Sequence, residues 1–151
     1  MGAEFTGRND VIKQCAAIPF RRTPDGLEVL IITSSGSRKS SQPKWIVPKG
    51  IVDPGNEPCE CAEKEALEEA GAIGRIVTPS VGFYDYEKWG SRCVVEVFLM
   101  EVVETKSDWP ESRMRDRRWC DWEEARSKVK FEGLRKIVAR LPVLLAERGL
   151  E

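Results

Sequence analysis

Three glutamates within one predicted helix constrain this chain more than any other feature of its sequence. Glu65, Glu68 and Glu69 lie at positions i, i+3 and i+4 of a segment whose apolar residues recur at helical spacing from Glu57 to Ala70. In a helix, this spacing places all three carboxylates on one face, within a turn of each other. A solvated helix face is one interpretation, and we expect Glu69 to be exposed whichever interpretation holds. The other interpretation is a site where a cation removes the repulsion between the carboxylates.

A hard divalent cation is the ion that such a cluster predicts. Mg²⁺, or Mn²⁺ in its place, prefers oxygen ligands and keeps several waters. Such an ion binds phosphate oxygens and lowers the pKa of a bound water, and one carboxylate then serves as the base. The 151-residue chain contains no histidine, which excludes histidine triads, bases and metal ligands. Catalysis is therefore expected to depend on carboxylates and a metal ion.

Strand-like segments precede and follow the glutamate helix, which predicts a mixed α+β fold. Apolar runs predict strands at residues 12–20, 27–33, 44–47, 75–86, 92–104 and 115–122. Helical signals predict a helix at residues 57–70 with Asn56 as its N-cap, a short helix at 123–129, and a helix at 132–148 kinked at Pro142. No repeat or linker interrupts the series. We predict one domain over residues 11–151, after a flexible tail at residues 1–10.

Charge and cysteine content limit the partners and the compartment that we expect. The 24 basic and 25 acidic residues give a net charge of −1, so there is no strong signal for nucleic-acid binding. No apolar stretch is long enough to span a bilayer, and no signal peptide is recognisable. The five cysteines are scattered and odd in number, which favours reduced thiols and a cytoplasmic location. No feature indicates an oligomeric state.

The segment from Gly50 to Ala72 resembles the Nudix box, whose pattern is G-x5-E-x7-R-E-U-x-E-E-x-G-U, with U an aliphatic residue. The residues that match it without a gap are Gly50, Glu65, Ala66, Glu68, Glu69, Gly71 and Ala72. The resemblance implies an α/β/α sandwich with a mixed central sheet and metal-dependent hydrolysis of a phosphoanhydride bond. It also implies that Glu65, Glu68, Glu69 and the backbone carbonyl of Gly50 bind the metal. Which glutamate acts as the base stays open.

Two positions depart from the box. Asn56 stands where the pattern has its first glutamate, and Lys64 stands where it has arginine. In the family, that arginine orients the catalytic carboxylate and pairs with the first glutamate. Lys64 keeps the positive charge among the predicted catalytic residues, but it lacks the planar guanidinium that binds a carboxylate through two parallel hydrogen bonds. An active hydrolase and a catalytically weakened ligand-binding module therefore both remain as interpretations.

Segments outside the box resemble the branch of the family that hydrolyses diphosphoinositol polyphosphates and diadenosine polyphosphates. These segments are residues 14–21, 28–34, 44–50 and 108–125. A small phosphorylated substrate of one of these two kinds is expected. Nucleoside triphosphates, ADP-ribose and RNA 5′-ends are the alternatives.

A densely phosphorylated substrate needs cations near the metal. The candidates for substrate binding are Lys49, Arg38, Lys39, Arg21, Arg92 and Arg115. Lys49 is the strongest of them, because it precedes Gly50 directly. Tyr84, Tyr86 and Trp89 are interpreted as structural residues, although an adenine stacked on one of them would favour a dinucleotide substrate.

Overall fold

The structure of the protein, a computed structural model, describes residues 11–150, and the tail predicted for residues 1–10 lies outside them. The strands are β1 Val11–Thr23, β2 Gly26–Thr33, β3 Trp45–Ile46, β4 Lys49–Ile51, β5 Ala72–Lys88, β6 Ser91–Thr105 and β7 Arg117–Asp121. The helices are α1 Pro58–Ala70, α2 Trp122–Lys128, α3 Glu132–Ala139 and α4 Leu141–Glu147. Across the described residues, none of the helices is both long enough and apolar enough to cross a membrane.

The seven strands form one sheet, one more strand than predicted, and the expectation of a mixed sheet is confirmed. Its main path runs β3, β2, β1, β6, β5, while β4 also pairs with β1 and β7 also pairs with β2. The central strands β1 and β6 are parallel, and the other pairs are antiparallel. Because parallel neighbours need a long crossover, the chain between β1 and β6 must leave the sheet and return. Helix α1 lies within this crossover.

Both faces of the sheet are covered by helices. Cys15 and Ala17 of β1 belong to the core shared with α1, whereas Ala16 and Ile18 belong to the core shared with α2, α3 and α4. Successive residues of a strand point to opposite faces, so a strand that is buried on both sides is apolar without interruption. The result is the α/β/α sandwich that the resemblance implies.

Helix α1 begins one residue later than the sequence predicts. The residue before its first turn is Glu57, whose backbone N–H donates to the Glu60 carboxylate at 3.2 Å, while Asn56 is exposed in the preceding turn. The inner face of α1 carries the small side chains Ala62 and Ala66, both fully buried. Small side chains allow the helix to approach the sheet closely, which brings its glutamates near β4.

The C-terminal helical region is two helices rather than one kinked helix. Helix α3 ends at Ala139, and Arg140 has φ −97° and ψ 9° between α3 and α4. Pro142 lies in the first turn of α4, where its missing N–H leaves no hydrogen bond unmade. The chain therefore turns before the proline and not at it. The predicted loop after Val47 also contains a short strand, β4, which pairs with β1.

Two of the cysteines are joined, contrary to the expectation of reduced thiols. Cys15 on β1 and Cys61 on α1 form a disulfide with a Cα–Cα distance of 6.3 Å. Their separation of 46 positions hides this pairing from the sequence, because only the packing of α1 on β1 brings them together. Among the described residues, Cys59, Cys93 and Cys120 are free thiols.

Candidate functional site

Glu65 and Glu69 of α1 come together beside β4. They lie one turn apart on the helix, with their carboxyl groups within hydrogen-bonding reach of each other. Glu69 also accepts the backbone N–H of Lys49 at 3.1 Å. Only 8% of the Glu69 side chain is exposed, so the expectation of an exposed Glu69 is wrong. Burial follows from the close packing of α1, which turns this face toward β4 rather than toward water.

The environment of this pair favours a bound cation. Burial raises the pKa of Glu69 to about 8, against the opposing effects of Arg115 and of the Lys49 N–H. Burial, together with the charge of Glu68, also raises the pKa of Glu65, with its contact to Glu69 acting in the opposite direction. Two acids side by side, one buried and one half-buried, disfavour their charged forms unless a positive charge joins them. A divalent ion would supply that charge.

Gly50 makes room for the pair. A Cβ atom added at Gly50 would overlap the carboxylate of Glu65, so only glycine allows this side chain to lie against β4. The Gly50 carbonyl oxygen lies 3.7 Å from Cys15 Sγ and 3.9 Å from Cys61 Sγ, next to the disulfide. The two carboxylates and the glycine backbone offer only oxygen donors, which fits Mg²⁺ or Mn²⁺.

Glu68 and Lys64 lie to one side of the pair. Lys64 Nζ is 3.9 Å from Glu68 Oε2, and the Lys64 side chain is 58% exposed. Within residues 11–150, no three acidic or cysteine side chains converge closely enough to surround an ion. Glu65 and Glu69 therefore form the centre of the candidate metal site, and Glu68 lies beside them in an ion pair with Lys64.

Arg115, a predicted substrate-binding residue, lies at the site but is engaged by the protein. Its Nη2 is 3.6 Å from Glu69 Oε2, its Nε donates to Glu111 Oε1 at 2.7 Å, and its Nη1 donates to the Thr33 carbonyl at 2.8 Å. The side chain is 11% exposed. Arg115 comes from the segment before β7, outside the Nudix-like box.

A cavity of about 370 Å³ opens above Glu69. It is lined by Lys49, Lys88 and Lys130 together with Tyr86 and Phe131. Burial lowers the pKa of Lys49 and of Lys130, and the charge of Lys88 acts on both in the same direction. The cavity thus combines a carboxylate floor with ammonium groups on its walls.

The aromatic rings of Tyr86 and Phe131 separate this cavity from a larger one of about 740 Å³. Their centres are 4.5 Å apart, and Lys49 Nζ is 5.1 Å from the centre of the Tyr86 ring. The larger cavity also has basic residues, Lys136 and Arg140, on its wall. A long ligand that passes the two rings would contact both cavities.

The other predicted substrate-binding residues do not line the cavity above Glu69. Their ion pairs are Arg21 with Glu28 at 2.8 Å, Arg92 with Asp85 at 2.8 Å, and Arg38 with Asp116 at 3.0 Å. Lys39 is exposed and lies with Arg38 at a separate shallow pocket. The structure therefore brings Lys49 and Arg115 to the glutamates and places these four elsewhere.

Sequence reasoning missed Lys88, Lys130 and Phe131. A signal existed for Lys88, because residues 84, 86 and 88 alternate onto one face of a strand, so that Lys88 accompanies Tyr86. Lys130 and Phe131 lie between α2 and α3, and nothing local in the sequence indicates that this connection folds over the site. Tyr86 was interpreted as structural, and its place in the cavity wall gives it a second possible use.

Comparisons with known proteins agree with this architecture. The model of the NUDIX domain family matches residues 13–141. Nudix hydrolase 12, mitochondrial, of Arabidopsis thaliana is 29% identical over 133 residues, covering 82% of this chain and 63% of that protein. Diphosphoinositol polyphosphate phosphohydrolase 2 of Rattus norvegicus is 35% identical over 115 residues, covering 75% of this chain and 60% of that protein. The chain thus spans less than two thirds of the length of these relatives.

Solved structures share the fold. The C. elegans Ap4A hydrolase in a binary complex superposes with a TM-score of 0.71 at 21% identity, over 90% of this chain and 98% of that one. The E. coli ORF135 protein superposes with a TM-score of 0.68 at 19% identity, over 96% of this chain and 98% of that one. At such identities the likeness supports the fold alone.

Proposed function

Because this chain belongs to the Nudix family, whose domain model matches residues 13–141, we propose that it is a metal-dependent pyrophosphohydrolase acting on a small polyphosphorylated molecule. One observation carries the proposal: Glu69, which is buried beside the half-buried Glu65, forms the floor of a cavity whose walls carry lysines. Carboxylates suit a divalent cation, and ammonium groups suit phosphates. A phosphoanhydride bound in this cavity would contact both the cation at the carboxylates and the ammonium groups of the lysines.

The residues for the metal are Glu65 and Glu69, with the Gly50 carbonyl as a further ligand and Glu68 beside them. A divalent ion held there supplies Lewis-acid polarisation of phosphate oxygens and of water. Glu68 stands outside the buried pair with its side chain 37% exposed, and we assign it the acceptance of the proton from the attacking water. Glu68→Gln tests that assignment, since it removes the base but keeps the size of the side chain.

Lys49, Lys88 and Lys130 hold the phosphates in this proposal. The backbone of Lys49 is fixed by its N–H bond to Glu69, so its ammonium group stays close to the carboxylate pair. Burial lowers the pKa of Lys49, because its charge is poorly solvated, and a phosphate partner would stabilise that charge. These three cations orient the substrate relative to the floor of the cavity.

Two substrate classes fit, and different features favour each. The Tyr86–Phe131 pair between two cavities favours a diadenosine polyphosphate, whose base can lie against the rings while its phosphates extend toward Lys49. The lysine cluster by itself favours a diphosphoinositol polyphosphate, which has no base to stack. Of the two, we favour the diadenosine polyphosphate, because the aromatic wall is then used.

A substrate panel with Mg²⁺ tests the function. It contains diadenosine tetra- to hexaphosphate, a diphosphoinositol polyphosphate, ADP-ribose, nucleoside triphosphates and a 5′-triphosphorylated RNA, with products identified by mass. We expect cleavage of the first two classes and its loss in Glu69→Gln. Tyr86→Ala should raise KM for the dinucleotides much more than for the inositol compound. Tight binding of one compound without any cleavage would favour the weakened ligand-binding module instead.

A further inference from the structure

The two positions at which the Nudix box of this chain departs from the pattern make no contact with Glu69, the buried carboxylate of the candidate metal site. Asn56 is exposed in the turn before α1, and its backbone N–H donates to the Asp53 carbonyl at 3.1 Å. Lys64 is mostly exposed, and its ion pair within the described residues is with Glu68, not Glu69. Neither residue therefore fixes the Glu69 carboxylate.

A guanidinium from another part of the chain stands at Glu69 instead. Arg115 faces Glu69 Oε2 with Nη2, while Glu111 and the Thr33 carbonyl hold its Nε and Nη1. With side chains only 11% and 8% exposed, Arg115 and Glu69 are poorly screened by water. Arginine has the planar fork that can serve several oxygens at once, which a lysine cannot do.

The segment that carries Arg115 is fastened to the end of α1. Here we call residues 109–117 the clasp. The clasp donates to three carbonyls in the last turn of the helix: Glu111 N to Glu68 O at 3.0 Å, Trp109 Nε1 to Glu69 O at 3.0 Å, and Arg117 Nη1 to Ala70 O at 2.8 Å. These are carbonyls that a helix end leaves without partners inside the helix. The clasp thus fixes Arg115 relative to α1 through the backbone.

We propose that Arg115, held by Glu111, is the positioning residue for Glu69, in place of the arginine and glutamate that the box of this chain lacks. Arg115 orients Glu69, which Lys64 does not contact because it pairs with Glu68. Glu111 pairs with Arg115, as a glutamate at position 56 would pair with an arginine of the box. This inference rests on the proposed function, because it assigns Glu69 to a metal centre. It makes Arg115 a support for the metal-binding carboxylate rather than a ligand of the substrate.

The two roles of Arg115 differ in what they change. A positioning residue acts on metal affinity before any substrate is present, and removing such a partner typically weakens metal binding by about 10- to 100-fold. A phosphate ligand acts on KM and leaves metal binding of the free protein unaltered. Binding of Mn²⁺ to the substrate-free protein, followed by electron paramagnetic resonance, separates the two roles.

The variants are Arg115→Gln, Arg115→Lys and Glu111→Gln, with Arg75→Gln as the matched control. Arg75 is an exposed arginine of β5 that pairs with Glu101 at 2.7 Å, so losing it removes an ion pair that does not line the cavity above Glu69. We expect Arg115→Gln to weaken Mn²⁺ binding about tenfold or more, as for other partners of metal ligands. Arg115→Lys should fail to restore it, Glu111→Gln should weaken it less, and Arg75→Gln should match the unaltered protein.

A transplant variant completes the test. Adding Asn56→Glu and Lys64→Arg to Arg115→Gln rebuilds the box pair, and it should recover part of the lost Mn²⁺ affinity. Glu111→Gln keeps the size of its side chain, so it remains informative if Arg115→Gln does not fold. Unchanged Mn²⁺ affinity in both single variants, with a raised KM, would overturn the positioning role and leave the metal centre standing. No Mn²⁺ binding to the unaltered protein would instead overturn the metal centre itself, and this inference with it.

Discussion

At the scale of single residues, the site depends on the close contacts that two neighbouring glutamates make with the backbone of β4 and with an arginine. Glu69 is held by a backbone N–H on one side and faces a guanidinium on the other, while Glu65 lies where Gly50 has no side chain. Each contact restricts the carboxylate to one orientation. In the proposed metal site the charge of Glu69 would bind the ion, whereas an uncharged side chain of the same shape could keep the contacts of Glu69 with the protein.

Glu69→Gln separates charge from shape. The amide is nearly isosteric and still accepts the Lys49 N–H, so the fold should persist. Metal-dependent turnover should fall by at least about a hundredfold, the lower end of what a positioned catalytic carboxylate contributes. Steady-state kinetics with Mg²⁺, alongside circular dichroism, measures both. Full activity in Glu69→Gln would show that the metal centre is assigned to the wrong residues.

The raised pKa of Glu69 links stability to pH and metal. Its pKa of about 8 in the folded protein exceeds the ordinary value of 4.5, so the stability it contributes is present at low pH and is lost as pH rises toward 8. Mg²⁺ binds the ionised form and should offset this loss. The increase in Tm on adding Mg²⁺ should thus be larger at pH 8 than at pH 6, as followed by differential scanning fluorimetry. An equal increase at both values, or an unaltered difference in Glu69→Gln, would contradict the assignment.

At the scale of elements, the end of α1 is shaped by what the clasp places against it. Gly71 ends the helix with φ 65°, in the left-handed region. A Cβ atom there would lie 2.7 Å from Arg117 Nη1 and 3.1 Å from the Trp109 side chain. Gly71 is therefore required both by the left-handed backbone at the end of α1 and by the close approach of the clasp. The clasp binds the carbonyls of the residues just before Gly71, so α1 ends at the place where the clasp contacts it.

Gly71→Ala and Gly90→Ala form a matched pair that measures the clasp. Both glycines have positive φ, 65° and 75°, but a Cβ at Gly90 meets no atom within 4 Å. Each substitution should cost about 1–2 kcal/mol of unfolding free energy for the left-handed backbone. Gly71→Ala should cost about 1–3 kcal/mol more, because it also forces the packed side chains apart. Urea unfolding measures the difference. Equal losses of unfolding free energy in the two variants would mean that the clasp side chains move aside for the added Cβ at no cost.

At the scale of the whole molecule, charge is distributed unevenly. The chain has a net charge of −1, yet Lys49, Lys88 and Lys130 face one cavity, and within residues 11–150 none of the three forms an ion pair. A polyanion is therefore attracted locally by a protein that is nearly neutral overall. The cavity lies where the end of β5, the connection between α2 and α3, and the glutamate face of α1 meet.

Removing two of these lysines should weaken substrate capture and its sensitivity to salt. Salt screens exposed charges over about 10 Å at 0.1 M, so kcat/KM of the unaltered protein should fall as ionic strength rises. The double variant Lys88→Ala, Lys130→Ala should have a lower kcat/KM at low salt and a flatter dependence on salt. Arg75→Gln, which removes one positive charge elsewhere, serves as the control. A salt dependence unchanged by the double variant would place the substrate phosphates in another part of the molecule.

Local sequence patterns predicted the helices and strands better than the tertiary contacts between them. The spacing of Glu65 and Glu69, the turn at Thr23–Gly26 and the apolar strands are local signals, and the sandwich and its mixed sheet are confirmed. The burial of Glu69, the Cys15–Cys61 disulfide and the placing of Lys130 depend on tertiary packing. Arg21 and Arg92 were predicted to bind phosphates because the sequence shows no partner for their charges. In the structure, each forms an ion pair with a carboxylate on the neighbouring strand. Such partners become visible only once strand register is known.

The contact between Arg115 and Glu69 also bears on how variation should be distributed among related chains. If a guanidinium at that carboxylate is what selection preserves, its source within the fold is interchangeable. Chains that carry arginine at the position of Lys64 should then be free to vary at that of Arg115, and chains that lose the one should retain the other. Pattern searches that demand the full box would discard sequences of the second kind as inactive. Covariation between the two positions, rather than identity at either one, is the signature to seek.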